Sequence, residues 1–386
     1  MSVPSEADDA PPSVSPRALD ELLRSGEPFT LLDVRDRDEF EAWHVDGPGV
    51  SAVQVPHVKF VQAQVTGDVD SLVGEDPAEP IVAVCGHGEA SAHAAELLVE
   101  AGHDARNLAG GMDAWARLLV ARDVEAASGT VVQYDRPSSG CLSYMVVDGG
   151  EAAVVDPLRA FADRYVADAN ERGADLRYAI DTHVHADHVS GVRAVATVSD
   201  AEPVLPELAR ERGLAYDVRP LADGETLTVG GTDIEAVATP GHTTEMTTLA
   251  ASGVLFTGDG LFVDTVARPD LEEGDEGAAE LAAELYDSLQ EGLLRFPDSM
   301  VVAPGHRDDG TPRAEDGTVT ATLGTVRDRV EALSLGRDEF VDYVLAALPP
   351  QPNEYERIIE TNLGRETLDD EDAFAVELGP NNCAAR

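Results

Sequence analysis

Lysine is all but missing from this chain: Lys59 is the only one in 386 residues. Basic residues number 27 against 74 acidic ones, a formal net charge of −47. A surface of that sign repels phosphate backbones and anionic lipid headgroups, which bind through clustered Lys and Arg. Nucleic acid and membrane surfaces are therefore excluded as partners. The acidic residues sit between apolar ones along the whole chain, which reads as solvated surface rather than an acidic tail. A salty cytoplasm, whose ions screen the self-repulsion, is the setting this composition suggests. Long apolar runs are missing too, since none approaches the ~20 residues needed to cross a bilayer. MSVPSEADDAPPS at the start has neither the basic nor the apolar region of a secretion signal, so the expected location is the cytoplasm. Cysteine is scarce: Cys85, Cys141 and Cys383 are all there are. Three cysteines make a disulfide framework unexpected, and one that matters should act as a thiol. Cys141 reads as packing within CLSYMVV, and Cys383 as inert unless the tail folds over a site.

What is present is ordered. At roughly 150 residues per domain the length suggests two or three domains, and an apolar content of 43% can build real cores. Residues 1–14 read as a disordered tail. From Ser15 short apolar strands alternate with helical patterns: PFTLLDVR, then DRDEFEAWH with Asp36 as N-cap, then the continuous apolar run IVAVC. EASAHAAELLVEAG, ARNLAGG and the helical MDAWARLLVA follow. The pattern predicts a small α/β domain over 15–122, a parallel sheet with helices on both faces. Residues 123–129 are small and polar and read as a linker. Beyond them TVVQYD, CLSYMVVDGG and EAAVVDP read as strands with Gly turns. Helices are expected at about 159–172 and 277–294, and a strand at 176–181. From 318 a mostly helical extension runs to the end, broken at Pro349–Pro350.

The chemistry concentrates in THVHADHVSG, residues 182–191. Ten histidines serve the whole chain, and three of them, His183, His185 and His188, fall here beside Asp187. In an extended segment, side chains two apart face the same way, so His183 and His185 can reach one ion. Asp187 and His188 project after the turn, towards a neighbouring position. TPGH with His242, FTGD with Asp259 and APGH with His306 follow, each ligand directly after a glycine and at the end of an apolar run. Seven ligand-type side chains at strand ends could hold two metals, and histidine with carboxylate suits zinc, iron or manganese.

This pattern resembles the metallo-β-lactamase superfamily over about Thr130 to His306. The resemblance implies an αββα sandwich, taken as residues 130–317, with metals at one edge. It places His183, His185 and His242 in one site, Asp187, His188 and His306 in the other, and Asp259 between them. The segment TVARPDLEEG and the tail, LPPQPNEYERIIETNLG with ELGPNNCAAR, resemble those of persulfide dioxygenases. That narrower resemblance implies one Fe(II) per chain, held by His183, His242 and Asp259 and open to a thiol persulfide and O2. Arg268 would bind the thiol substrate, or else simply pair with Asp270. His185, Asp187, His188 and His306 would then be a second site or partners that orient the iron ligands. A full ligand set equally fits two Zn(II) and a thioester hydrolase of the glyoxalase II type.

The loop CGHGEAS opens a helix after a buried strand, so its N–H groups favour an anion and should stabilise a Cys85 thiolate. With LLDVRDRDEFEAWHVDG before it and NLAGGMDAW after it, the region resembles the rhodanese domain. The resemblance implies that Cys85 takes up and passes on sulfane sulfur, with His87, Gly88 and Ser91 around it. Glu89 opposes an anionic donor. The expectation is a two-domain sulfur enzyme; a docking role for the first domain is the other outcome, and the long tail invites a contact between two copies.

Overall fold

A computed structural model describes residues 11–272, 274–378 and 384–385. Cys383 and residues 1–10 lie outside the described residues. Two compact units emerge, one running up to Val120 and taking in Arg136–Ser138, the other made of Ala121–Asp135 and Ser139 onward.

The first unit holds a five-stranded, all-parallel sheet in the order Ser13–Val14, Ala105–Leu108, Ile81–Val84, Phe29–Asp33, Val50–Gln54. Alternation explains why its strands are apolar throughout. Leu32, Ile81 and Ala83 point to one face and pack with Phe60, Ala94 and Leu98. Leu31, Val82 and Val84 point to the other and pack with Leu19 and Trp115. Both faces are covered by helices, as an all-parallel sheet requires.

The second unit stacks two sheets. One is seven-stranded, running from Arg219–Leu221 through Glu202–Pro206, Asp175–Ile180, Glu151–Val155, Leu142–Asp148 and Thr130–Asp135 to Val120–Val124. The other is six-stranded: Thr226–Val229, Thr232–Ala238, Thr247–Ala251, Val254–Gly258, Val301–Pro304 and Ala321–Thr322. Val131, Val146 and Ile180 of the first meet Ile234, Leu249 and Phe256 of the second in the central core. Leu255 and Val302 point outward onto Leu285, Val326 and Phe340 of the covering helices. Helices Ala162–Glu171 and Val192–Val198 cover the strand Asp175–Ile180. The result is the expected αββα layering. No helix among the described residues is long and apolar enough to cross a membrane.

Several boundaries differ from expectation. Ser13–Val14, inside the expected tail 1–14, is a strand. The helix in MDAWARLLVA stops at Ala116, and Val120–Val124 forms a sheet edge, so the stretch 123–129 begins inside a strand. β-Branched valines at both ends of that segment favour the pleated edge over a helix. Ala321–Thr322 pairs with Val301–Val302, so the segment from 318 starts as sheet. The helix expected at 277–294 begins at Gly274, and after Asp287 it widens into a π-turn over Ser288–Gly292.

Candidate metal centre

Four strands end at one edge of the sandwich and deliver the ligand-type residues. Asp175–Ile180 leads into the loop 181–191, Thr232–Ala238 into His242, Val254–Gly258 into Asp259, and Val301–Pro304 into His306. All three preceding glycines are required by space, Gly241 against Leu285 and the other two within the site. Gly258 has a positive φ of 46°, and a Cβ there would collide with Thr182 Oγ1. A Cβ on Gly305 would stand 2.5 Å from Asp259 Oδ1. The backbone has to come this close to bring Asp259 and His306 together.

His183, His242 and Asp259 are fully buried and offer three ligand atoms all within 4.8 Å of one another. Both imidazole Nε2 atoms lie close to Asp259 Oδ2, at 3.9 Å from His183 and 3.8 Å from His242. None of the three atoms has a hydrogen-bond partner. Leaving a buried polar atom unsatisfied costs about 1–3 kcal/mol each, so three converging on one point are the signature of a ligand they are built to hold. The tautomers agree. Thr182 Oγ1 donates its one hydrogen to Asp156 Oδ2, so His183 Nδ1, 3.0 Å away, must be the donor to it. His242 Nδ1 donates to the Arg268 carbonyl at 2.8 Å. Each ring thus presents a bare Nε2 lone pair. Burial, with the neighbouring His185 and His242, holds His183 well below the ordinary imidazole range, and burial lowers His242 as well. Burial works against the Asp259 charge, but His306 outweighs it and keeps the carboxyl below its usual value. Two neutral imidazoles and a carboxylate fit a divalent metal.

His185 does not join this trio. Its Nε2 lies 3.3 Å from Asp156 and 3.6 Å from Asp181, and its Nδ1 is 3.8 Å from Asp187. Burial disfavours the imidazolium, but the two carboxylates win and raise His185 well above the usual range. Asp187 accepts from His188 Nδ1 at 3.1 Å and touches Cys141 Sγ at 3.5 Å. His306 Nδ1 donates to Asp259 Oδ1 at 3.0 Å. Asp187, Asp259 and His306 again offer three atoms within 4.8 Å, and the Nε2 atoms of His188 and His306 are unpartnered. All seven ligand-type residues read from the sequence therefore meet at one edge.

Of the two readings open for Arg268, substrate contact or a pair with Asp270, the structure shows the pair. Its guanidinium is 1% exposed, bonds both oxygens of Asp270 at 2.8 Å, and donates to the carbonyls of Pro349 and Pro350. What it gives the site is its own carbonyl, which orients His242. Asp156, Asp181, Asn362 and Glu377 were not found from the sequence. Their signal is only that of scattered polar residues, and nothing in the spacing ties them to the histidines.

The first unit has its own polar site. Cys85 Sγ, at the start of helix Glu89–Ala101, accepts from Gly88 N at 3.1 Å and Ser91 N at 3.4 Å, and Ser91 Oγ, with a single hydrogen to give, lies 3.1 Å away. Ser91 Oγ is also 2.8 Å from Asn107 Oδ1. His87 and Glu89 are exposed at the loop surface.

Family comparison agrees with both units. Residues 15–118 match the rhodanese-like domain and residues 137–306 the metallo-beta-lactamase superfamily. The hydroxyacylglutathione hydrolase of Xylella fastidiosa (strain M12) is 30% identical over 219 residues, 56% of this chain and 76% of that protein. The chain belongs to the metallo-β-lactamase superfamily. It carries a rhodanese-like domain ahead of that metal-dependent enzyme fold. The mouse protein named persulfide dioxygenase ETHE1, mitochondrial, is 27% identical over 247 residues, 62% of this chain and 91% of its own length. Among solved structures, a metallo-beta-lactamase from Staphylococcus aureus subsp. aureus COL superposes with a TM-score of 0.55 at 27% identity, covering 62% of this chain and 74% of that one. ETHE1 from Myxococcus xanthus has the same fold, with a TM-score of 0.53 at 24% identity over 64% of this chain and 99% of that one.

Proposed function

We propose that the chain is a persulfide dioxygenase that oxidises a low-molecular-weight thiol persulfide at one Fe(II), with a sulfurtransferase domain ahead of it. The observation that carries this reading is the trio of unpartnered atoms His183 Nε2, His242 Nε2 and Asp259 Oδ2, with His185 Nε2 turned towards Asp156 and Asp181 at 3.3 and 3.6 Å. Two imidazoles and one carboxylate would hold iron and leave positions open. Iron held there would supply the accessible redox states that oxidation of a thiolate sulfur by O2 requires, which zinc lacks. The net change balances as persulfide, O2 and water going to thiol, sulfite and two protons. The likeness to the mouse persulfide dioxygenase, over nearly all of that protein, supports the same reading.

The surrounding residues serve that trio. Thr182, itself held by Asp156, fixes the His183 ring, and the Arg268 carbonyl fixes His242. His306 anchors the Asp259 oxygen that faces away from the imidazole nitrogens, leaving the other for metal. In the first unit, the Cys85 sulfur would attack the outer sulfur of a donor. The donor's S–S bond breaks, its remainder leaves with the electron pair, and Cys85 carries the persulfide. Gly88 N and Ser91 N would donate to the sulfur during transfer, and Ser91 Oγ could turn its one hydrogen from Asn107 Oδ1 to it.

A second reading, a dinuclear zinc thioester hydrolase, draws on the unpartnered Nε2 atoms of His188 and His306 beside Asp187. Metal analysis combined with O2 uptake separates the two. One iron per chain and O2 consumption with a persulfide support the dioxygenase; two zincs with thioester cleavage and no O2 uptake refute it.

A further inference from the structure

The loop that carries four of the seven ligand-type residues has no ladder of its own to satisfy its backbone. Residues 181–189 form neither helix nor strand, yet they are buried. Every buried N–H and C=O there needs a partner from elsewhere. Several come from an unexpected source, the C-terminal segment. Asn362, at the end of helix Tyr355–Asn362, is 3% exposed. Its Nδ2 donates to the carbonyl of His185 and to the carbonyl of His188, both at 2.9 Å. Its Oδ1 accepts from Ser190 N at 2.8 Å. Glu377 adds a fourth bond, accepting from Val189 N at 2.9 Å.

We propose that Asn362 is a positioning residue of the metal centre. Its amide gathers the carbonyls of His185 and His188, three residues apart, onto one nitrogen. That closes the turn through Ala186 and Asp187 and sets where Asp187 and His188 project. The clamp needs two donors and one acceptor from a single short side chain, which only a primary amide supplies. An aspartate of the same shape would set an oxygen against two carbonyl oxygens. An alanine would leave three buried backbone groups unmet. The clamp is held in turn by packing: Val189 of the loop sits in one apolar cluster with Ile358, Leu368, Ala373 and Val376. Ala186 packs with Leu271 against Tyr355 and Ile359. The segment after 350 is therefore part of the metal site's frame. With two metals the amide acts on Asp187 and His188 directly; with one iron it acts on His183 through the loop that all three share.

The test uses the full chain with Asn362→Ala and Asn362→Asp, and Leu368→Ala as a control that loosens the tail packing while keeping the amide. The probe is cobalt(II) alone, titrated into metal-free protein and read by its visible spectrum, whose intensity reports coordination geometry. Both Asn362 variants are expected to bind cobalt about 10–100-fold more weakly, the usual cost of losing a group that orients ligands, and with an altered spectrum at saturation. Leu368→Ala should lower the melting temperature but keep the parent spectrum. Amide exchange on the metal-free proteins gives an independent reading. The Val189–Ser190 amides should exchange faster in the Asn362 variants than in Leu368→Ala. If Asn362→Ala does not accumulate, Asn362→Asp, with its shape conserved, carries both readouts. Unchanged cobalt affinity and spectrum, or the same change in Leu368→Ala, overturns the proposal. None of these readouts depends on O2 uptake, so they stand apart from the fate of the dioxygenase reading.

Discussion

Replacing Arg268 by alanine separates a structural arginine from a substrate-binding one. The guanidinium and the Asp270 carboxylate form two parallel bonds of 2.8 Å, with the residues 1% and 4% exposed. Truncating the arginine leaves a buried carboxylate without its cation and takes a donor from the Pro349 and Pro350 carbonyls. Breaking a buried pair from one side costs about 3–5 kcal/mol. For a unit of this size each kcal/mol moves the melting temperature by about 2–4 °C, so a fall of roughly 6–20 °C is expected. Removing both charges, as in Arg268→Met with Asp270→Leu, should recover most of that loss. The bond to His242 comes from the backbone carbonyl and survives both changes. In metal-loaded protein assayed well below its melting point, kcat/KM should therefore change by less than about tenfold, or ~1.4 kcal/mol. Thermal unfolding and persulfide-dependent O2 uptake measure the two quantities. Unchanged stability with a KM for persulfide raised tenfold or more would show that Arg268 touches substrate and that this reasoning is wrong.

Asp259→Ala removes the carboxylate shared by both ligand groups, and the isolated protein should contain less than about a tenth of the parent's metal by elemental analysis. In metal-free protein His306 is raised to about 9, because the charge and hydrogen bond of Asp259 outweigh burial. A folded value above the unfolded ~6.5 means the stabilisation is complete below about pH 6.5 and disappears as pH rises through about 9. Urea midpoints of chelated protein should accordingly fall between pH 6.5 and 9.5, and those of His306→Gln should stay flatter. Cys85→Ser should abolish sulfur transfer to cyanide from any donor that the parent uses. Ser91→Ala, which deletes the hydroxyl beside that sulfur, should slow transfer by about tenfold; an unchanged rate in either variant contradicts the assigned role.

The ligand-type residues are legible in the sequence, and the frame around them is not. His183, His185, Asp187 and His188 are adjacent in the sequence, and His242, Asp259 and His306 each follow a glycine at a strand end, so period and spacing exposed them. Apolar runs such as IVAVC exposed the parallel sheet because both its faces are buried. The distribution of roles was not legible. That His185 turns its Nε2 to Asp156 and Asp181 depends on residues 29 and 4 positions away whose side chains carry no motif. Asn362 and Glu377 lie more than 170 residues beyond the loop they support. For Arg268 the sequence left substrate contact and a pair with Asp270 both open, because neighbours two apart in a loop can face each other or not; the structure shows the pair. The helix His57–Thr66 escaped notice because only Phe60 and Ala63 of it are buried, too few for a visible apolar stripe. Val120 and Ala121 read as the end of a helix because periodicity does not separate a short buried strand from a helix end.

The central claim is a ferrous ion held by His183, His242 and Asp259. Its most direct test is elemental analysis of the purified full chain, in parallel with O2 uptake and sulfite release on adding a thiol persulfide. The account predicts one iron per chain, and one O2 consumed for each sulfite formed, both lost on replacing Asp259. Full persulfide oxidation by protein free of iron, or two zincs with no O2 uptake, would contradict it.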